Sequence, residues 1–93
     1  MALVILAHQL TGQDAQADVV EVANSPEEIE KTKRRLWGLA VENLAGTMKN
    51  NADTIVDVKI NQSTLRCAGF FRRNGESVEV AYRVITNNLD LIV

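Results

Sequence analysis

The sequence predicts an α+β domain, one long helix packed on an antiparallel sheet in the order β-β-α-β-β-β, with room for a short C-terminal strand. Three observations predict it. A helix start is written out at Ser25-Pro26-Glu27-Glu28, an Asn74-Gly75 pair sits between two alternating apolar runs, and Leu3 to Leu10 read as a strand. Residues 1–93 are expected to form one domain, as their number implies.

From Leu3 to Leu10 the chain is apolar on both faces, with Leu3 and Ile5 on one and Val4 and Leu6 on the other. That pattern suits a strand covered on both sides, by the helix and by another sheet or another subunit. Gly12-Gln13-Asp14 is a turn signal, and Val19, Val20 and Val22 mark a second short strand over residues 18–23.

Ser25 is then the expected N-cap, Pro26 the first helical residue, and Glu28 the partner of Ser25 in a capping box. Glu27, Glu28 and Glu30 lie near the positive end of the helix dipole, and Glu27–Lys31 and Glu30–Arg34 have the favourable i,i+4 order. The helix is expected to run from Pro26 to about Lys49, with Asn50 or Asn51 in a left-handed cap. Ile29, Leu36, Ala40 and Leu44 share one face, which Trp37, Val41 and Met48 widen. Its first half reads as solvated and its second as docked. Gly38 and Gly46 are unfavourable in a helix interior, so a close backbone approach is expected there.

The rest reads as a β-meander. Val56, Val58 and Ile60 alternate with polar residues, and strands 65–73 and 76–85 flank Asn74-Gly75. A two-residue turn pairs Phe71 with Val78, Gly69 with Val80, Cys67 with Tyr82 and Leu65 with Val84, all apolar and on one face. Continuing across residues 61–64 sets Ile60 beside Leu65, Val58 beside Cys67 and Lys59 beside Arg66. The apolar tail of Leu89, Leu91, Ile92 and Val93 is expected to join a sheet edge or a neighbouring subunit.

The outer face of that meander is the candidate ligand or partner surface, made of Lys59, Arg66, Arg83, Phe70 and Arg72, with Ile55, Ala68 and Ala81 grouped around Phe70. Arg66 opposite Arg83 is repulsive in a bare sheet. A bound anion, an acidic partner or same-face carboxylates such as Asp57 and Glu79 would relieve it; a solvated face with flexible arginines is the plain alternative. Trp37, where the helix turns from charged to apolar, reads as a core-edge or subunit contact or as a stacking platform for a flat ligand. His8, the one histidine, reads as a satisfied core or interface residue.

Several functions are disfavoured. With net charge −2 and a basic run at residues 31–35 that follows three glutamates, nucleic acid is not expected as a partner. No run approaches the roughly 20 apolar residues of a membrane helix, and Met1 to Ala7 lacks a basic n-region, so neither membrane nor signal peptide is expected. A single cysteine fits a cytoplasmic location. Cys67 and His8 cannot alone form a four-ligand zinc site in a monomer, so no metal is expected. The dispersed glycines make no phosphate loop, so no cofactor is expected, and no carboxylate pair in a dry pocket suggests an enzyme.

Two resemblances accompany this reading. From Val19 to Val84 the chain runs strand, Ser-Pro-Glu-Glu helix start, helix and strands, which resembles dodecins, small flavin-sequestering proteins that assemble as closed oligomers. Leu44-Ala45 followed by residues 51–58, Asn-Ala-Asp-Thr-Ile-Val-Asp-Val, is similar to the helix-to-strand junction of the YbjQ-like heavy-metal-binding family. Both point to small oligomeric domains. With only four aromatics the core is marginal, and a chain this size buries only about 60–65% of its unfolded surface. The expected function is therefore a non-catalytic homo-oligomeric binding module that holds a small anionic or planar ligand at a subunit interface. The alternative is a small protein-binding adaptor or inhibitor acting through the outer sheet face.

Overall fold

A computed structural model describes residues 1–88 of the chain. Five strands and one helix follow in the order β1 (Ala2–Leu10), β2 (Gln16–Val22), α1 (Pro26–Asn51), β3 (Thr54–Asn61), β4 (Arg66–Arg73) and β5 (Glu76–Asn88). This is the expected α+β architecture, a single helix on one antiparallel sheet. The sheet order is β2-β1-β5-β4-β3, with β1 and β5 joined along Ala2↔Asn88 to Leu10↔Val80. The tail residues Leu89, Leu91, Ile92 and Val93 lie outside the described residues.

The Asn74-Gly75 turn sets the register as its chemistry requires. Asn74 (φ 52°) and Gly75 (φ 80°) both have positive φ, the mark of a type I′ turn. Phe71↔Val78, Gly69↔Val80, Cys67↔Tyr82 and Arg66↔Arg83 are partners, and Val84 N–H donates to Leu65 C=O at 3.0 Å. Phe71, Val80, Cys67, Tyr82 and Val84 are buried under the helix together with Val4 and Leu6 of β1. Burying each larger apolar side chain contributes about 1.5–3 kcal/mol, and these residues form one cluster with Leu36, Ala40, Leu44 and Met48 of the helix.

The β3–β4 register differs from expectation by two residues. Ile60 pairs with Cys67, Val58 with Gly69, Lys59 with Ala68 and Asn61 with Arg66. The turn occupies residues 62–65: Asn61 Oδ1 accepts from Ser63 N–H (3.1 Å) and Thr64 N–H (3.2 Å), and Leu65 adopts φ 54°. A side chain that mimics a backbone turn moved the loop toward the C-terminus. A shift of two preserves the faces, so Val58 and Ile60 still point to the helix side. A bulge at Val56 breaks the alternation further along, placing Ile55 opposite inward-facing Phe71 rather than on the outer face.

The helix begins at Pro26 after Ser25, with Ile29 N–H on Ser25 C=O (3.0 Å), but the Ser25 side chain makes no capping bond. Glu30 pairs with Lys33 at 3.0 Å instead of with Arg34. At the far end Asn51 is still helical and donates its Nδ2 to Thr47 C=O (2.8 Å), while extended Ala52 (φ −81°) replaces the expected left-handed cap. Thr32, Leu36, Ala40, Leu44 and Met48 are the buried stripe. A four-residue step advances about 40° beyond a full turn, so the stripe winds around a helix lying obliquely on the sheet. Gly38 and Gly46 face open space, and no close approach explains them. Helix and sheet close tightly at Gly69, where a Cβ would meet Met48 and Leu44.

Candidate functional site

A helix about 10 Å across cannot cover five strands spaced about 4.8 Å apart. Here it lies on β5, β1 and β4 and barely reaches β2. Every residue of β3 is exposed, including Ile55 (56%), Val56 (63%), Val58 (45%) and Ile60 (55%). Val58 and Ile60, set beside Gly69 and Cys67 of the apolar inner face, share that face without the cover that their alternation with polar residues implies. Counting strands against one helix was the signal that could have exposed the shortfall.

The seven residues singled out from the sequence fall on opposite sides of the sheet. Lys59, Arg66, Arg83, Phe70 and Arg72 lie on the outer face, as expected. Arg66 and Arg83 are direct cross-strand partners, and no carboxylate among the described residues forms an ion pair with either. Asp57 and Glu79 share this face but both stand opposite Phe70, so they leave the arginine pair uncompensated. Lys59, displaced from Arg66 by the register shift, holds its Nζ 5.5 Å from the centroid of the Phe70 ring, a cation–π distance. Arg72 folds back on the hairpin, its Nη2 donating to Gly75 C=O at 3.0 Å.

Behind these residues the outer face carries an apolar row that crosses three strands, Val19↔Ile5↔Ile85. Val19 is 55% exposed, and Ile5 and Ile85 are half-buried though no element among the described residues lies over them. The two-sided apolar pattern of the first strand is thus explained on one side by the helix and left open on the other.

Trp37 and His8 lie on the helix side. Trp37, half-buried, and Arg34 border a shallow depression whose other rim is Ser63 and Leu65 of the β3–β4 turn. His8 stacks on Tyr82 (ring centroids 5.2 Å, planes 21° apart), and the Tyr82 hydroxyl stands 3.5 Å from Thr47 Oγ1. Since Tyr82 pairs with both His8 and Cys67, it separates them by two strand spacings, about 10 Å, too far for a nucleophile and its base. Burial raises the Cys67 thiol above its ordinary pKa, which keeps it protonated. Among the described residues no group of three His, Cys, Asp or Glu side chains could hold a metal ion, and no helix is long and apolar enough to cross a membrane.

Among the described residues, fold and surface together define a two-layer α+β module with one helical layer, an open outer sheet face and two edge strands, β2 and β3, of which β3 is exposed along its whole length. No family model, curated protein or solved structure matches the chain.

Proposed function

We propose that this chain is a non-catalytic homo-oligomeric binding module that sequesters a small anionic or planar ligand at a subunit boundary. The observation that carries this reading is the uncovered apolar strand: four large apolar side chains of β3 stand 45–63% exposed in a chain whose buried core is small. Contiguous apolar surface at a sheet edge is removed from water by a second chain. The Arg66–Arg83 pair supplies the anionic preference, because an anion between two guanidinium groups converts their repulsion into two charge-assisted hydrogen bonds. Trp37, half-buried where the helix turns from charged to apolar, offers a flat face for a planar ligand. A cytoplasmic setting agrees with the protonated, solitary thiol.

Native mass spectrometry of the protein from its own host tests the reading, since it reports stoichiometry and any retained small molecule together. An oligomer with retained anionic or planar mass is expected. In Arg66→Glu with Arg83→Glu, the oligomer persists and the small ligand is lost. A strict monomer refutes the proposal. A second reading is favoured by Phe70, half-buried among Ala68 and Ala81 with Lys59 over its ring, which resembles an interface centre with a charged rim. In that case the chain is a protein-binding adaptor or inhibitor, and the same double variant releases a protein partner instead of a small molecule.

A further inference from the structure

The bare edge of β3 presents a definite set of backbone groups. Because β4 and β5 meet at a two-residue turn, Arg73↔Glu76 and every second pair after it exchange both backbone hydrogen bonds, through Gly69↔Val80 and Cys67↔Tyr82. Even-numbered residues of β4 therefore turn their N–H and C=O toward β3, where Ala68 meets Lys59 and Phe70 meets Asp57. Val58 and Ile60, opposite Gly69 and Cys67, are left aiming theirs at the free edge. The Val58 N–H is held there by the carboxylate of Asp57 at 2.9 Å.

We infer that β3 pairs antiparallel with β3 of a second copy about a two-fold axis at Val58, an interface that rests on the homo-oligomer reading and gives it a location. In this register Val58 faces Val58 of the second copy and Asp57 faces Lys59 twice over, all within the regular stretch of the strand, while the bulged Val56 comes beside Ile60 at each end. Charge and apolar pattern are both self-complementary. Sliding the axis to Asp57 or to Lys59 sets like charges directly opposite each other, which is destabilising in a sheet. The backbone phase agrees, since Val58 and Ile60 carry the outward-pointing groups that the pairing consumes. Asp57 then exchanges its bond to Val58 N–H for Lys59 of the second copy, and Val58 N–H takes the opposing Val58 C=O. Both helices lie on one face of the resulting ten-stranded sheet. The Val58 and Ile60 side chains of both copies floor a trough between them, bordered by Trp37.

Sedimentation equilibrium at concentrations up to about 0.5 mM tests the pairing, a range that captures the modest affinity of a small interface. Asp57→Lys and Lys59→Asp each turn two attractive pairs repulsive and raise the dimer Kd about tenfold. The double swap D57K/K59D restores opposite charges and returns the Kd to within about threefold of the original. Separately, Val58→Cys cross-links on mild oxidation, because hydrogen-bonded antiparallel partners have Cα atoms about 5.5 Å apart. A chain that dimerises without rescue by the double swap, or without the cross-link, overturns the β3 interface and leaves the oligomeric reading standing. A chain monomeric throughout the range overturns both.

Discussion

Gly69 is the residue on which helix and sheet close. A Cβ there would collide with the thioether end of Met48 and stand 3.0 Å from Leu44 Cδ1, whereas one at Gly38 or Gly46 meets nothing within 4 Å. Gly69→Ala is therefore expected to destabilise by about 1–3 kcal/mol, toward the low end because Met48 is flexible. Gly38→Ala and Gly46→Ala are each expected to stabilise by about 0.5–1 kcal/mol through helix propensity. Urea midpoints at constant m-value report all three, and a loss at Gly38 or Gly46 would contradict the open space described. Cys67 gives a pH signature. Its folded pKa is raised by burial, so above the ordinary thiol value the unfolded chain ionises while the folded one does not. The unfolded state then binds fewer protons and stability falls as pH rises. The stability difference between the protein and Cys67→Ala is expected to be flat to about pH 8 and to shrink above about pH 9. A difference constant to pH 10 would contradict the buried thiol.

At the level of elements, coverage decides what a side chain is worth. Leu44, 2% exposed on the inward face of the helix, and Ile60, 55% exposed on the edge, have similar volumes and opposite fates. Leu44→Ala is expected to cost about 2–5 kcal/mol, whereas Ile60→Thr in the dilute chain costs less than about 1 kcal/mol. Equal losses in thermal denaturation would mean that β3 is covered after all. The sequence made the hairpin legible because turn chemistry at Asn74-Gly75 and the apolar faces of Phe71, Gly69, Cys67 and their partners independently require one register. The helix boundaries were legible at Pro26, where proline and acidic residues agree, and less so at Asn51, where a side-chain bond to Thr47 extended the helix past the expected cap. The β3–β4 register was not legible, since the Asn61 side chain, rather than any hydrophobic pattern, sets that turn, and a slip of two leaves the pattern unchanged. Nor was the bulge at Val56, which reassigns Ile55 without leaving a Gly or Pro mark.

For the whole molecule, the outer basic surface was legible to the extent that hairpin register fixes it. Arg66 and Arg83 meet as expected, while Lys59 found Phe70 because its strand slid. The exposure of the edge that carries the inferred dimer is not legible in the alternation of Val56, Val58 and Ile60, since sequence periodicity shows which residues share a face and not whether anything lies over that face. One further consequence follows from the sheet order β2-β1-β5-β4-β3, in which β1 lies against β5, the two being far apart in the chain. During synthesis the β1–β2 hairpin can zip early and the β3-β4-β5 meander can form on its own, but the seam between them waits until β5 has left the ribosome. Pairings that close a long stretch of chain are slow, and until the seam forms β1 and β5 each show a vacant flank to other nascent chains. The most aggregation-exposed moment of this protein's folding is therefore the interval before β1 and β5 meet.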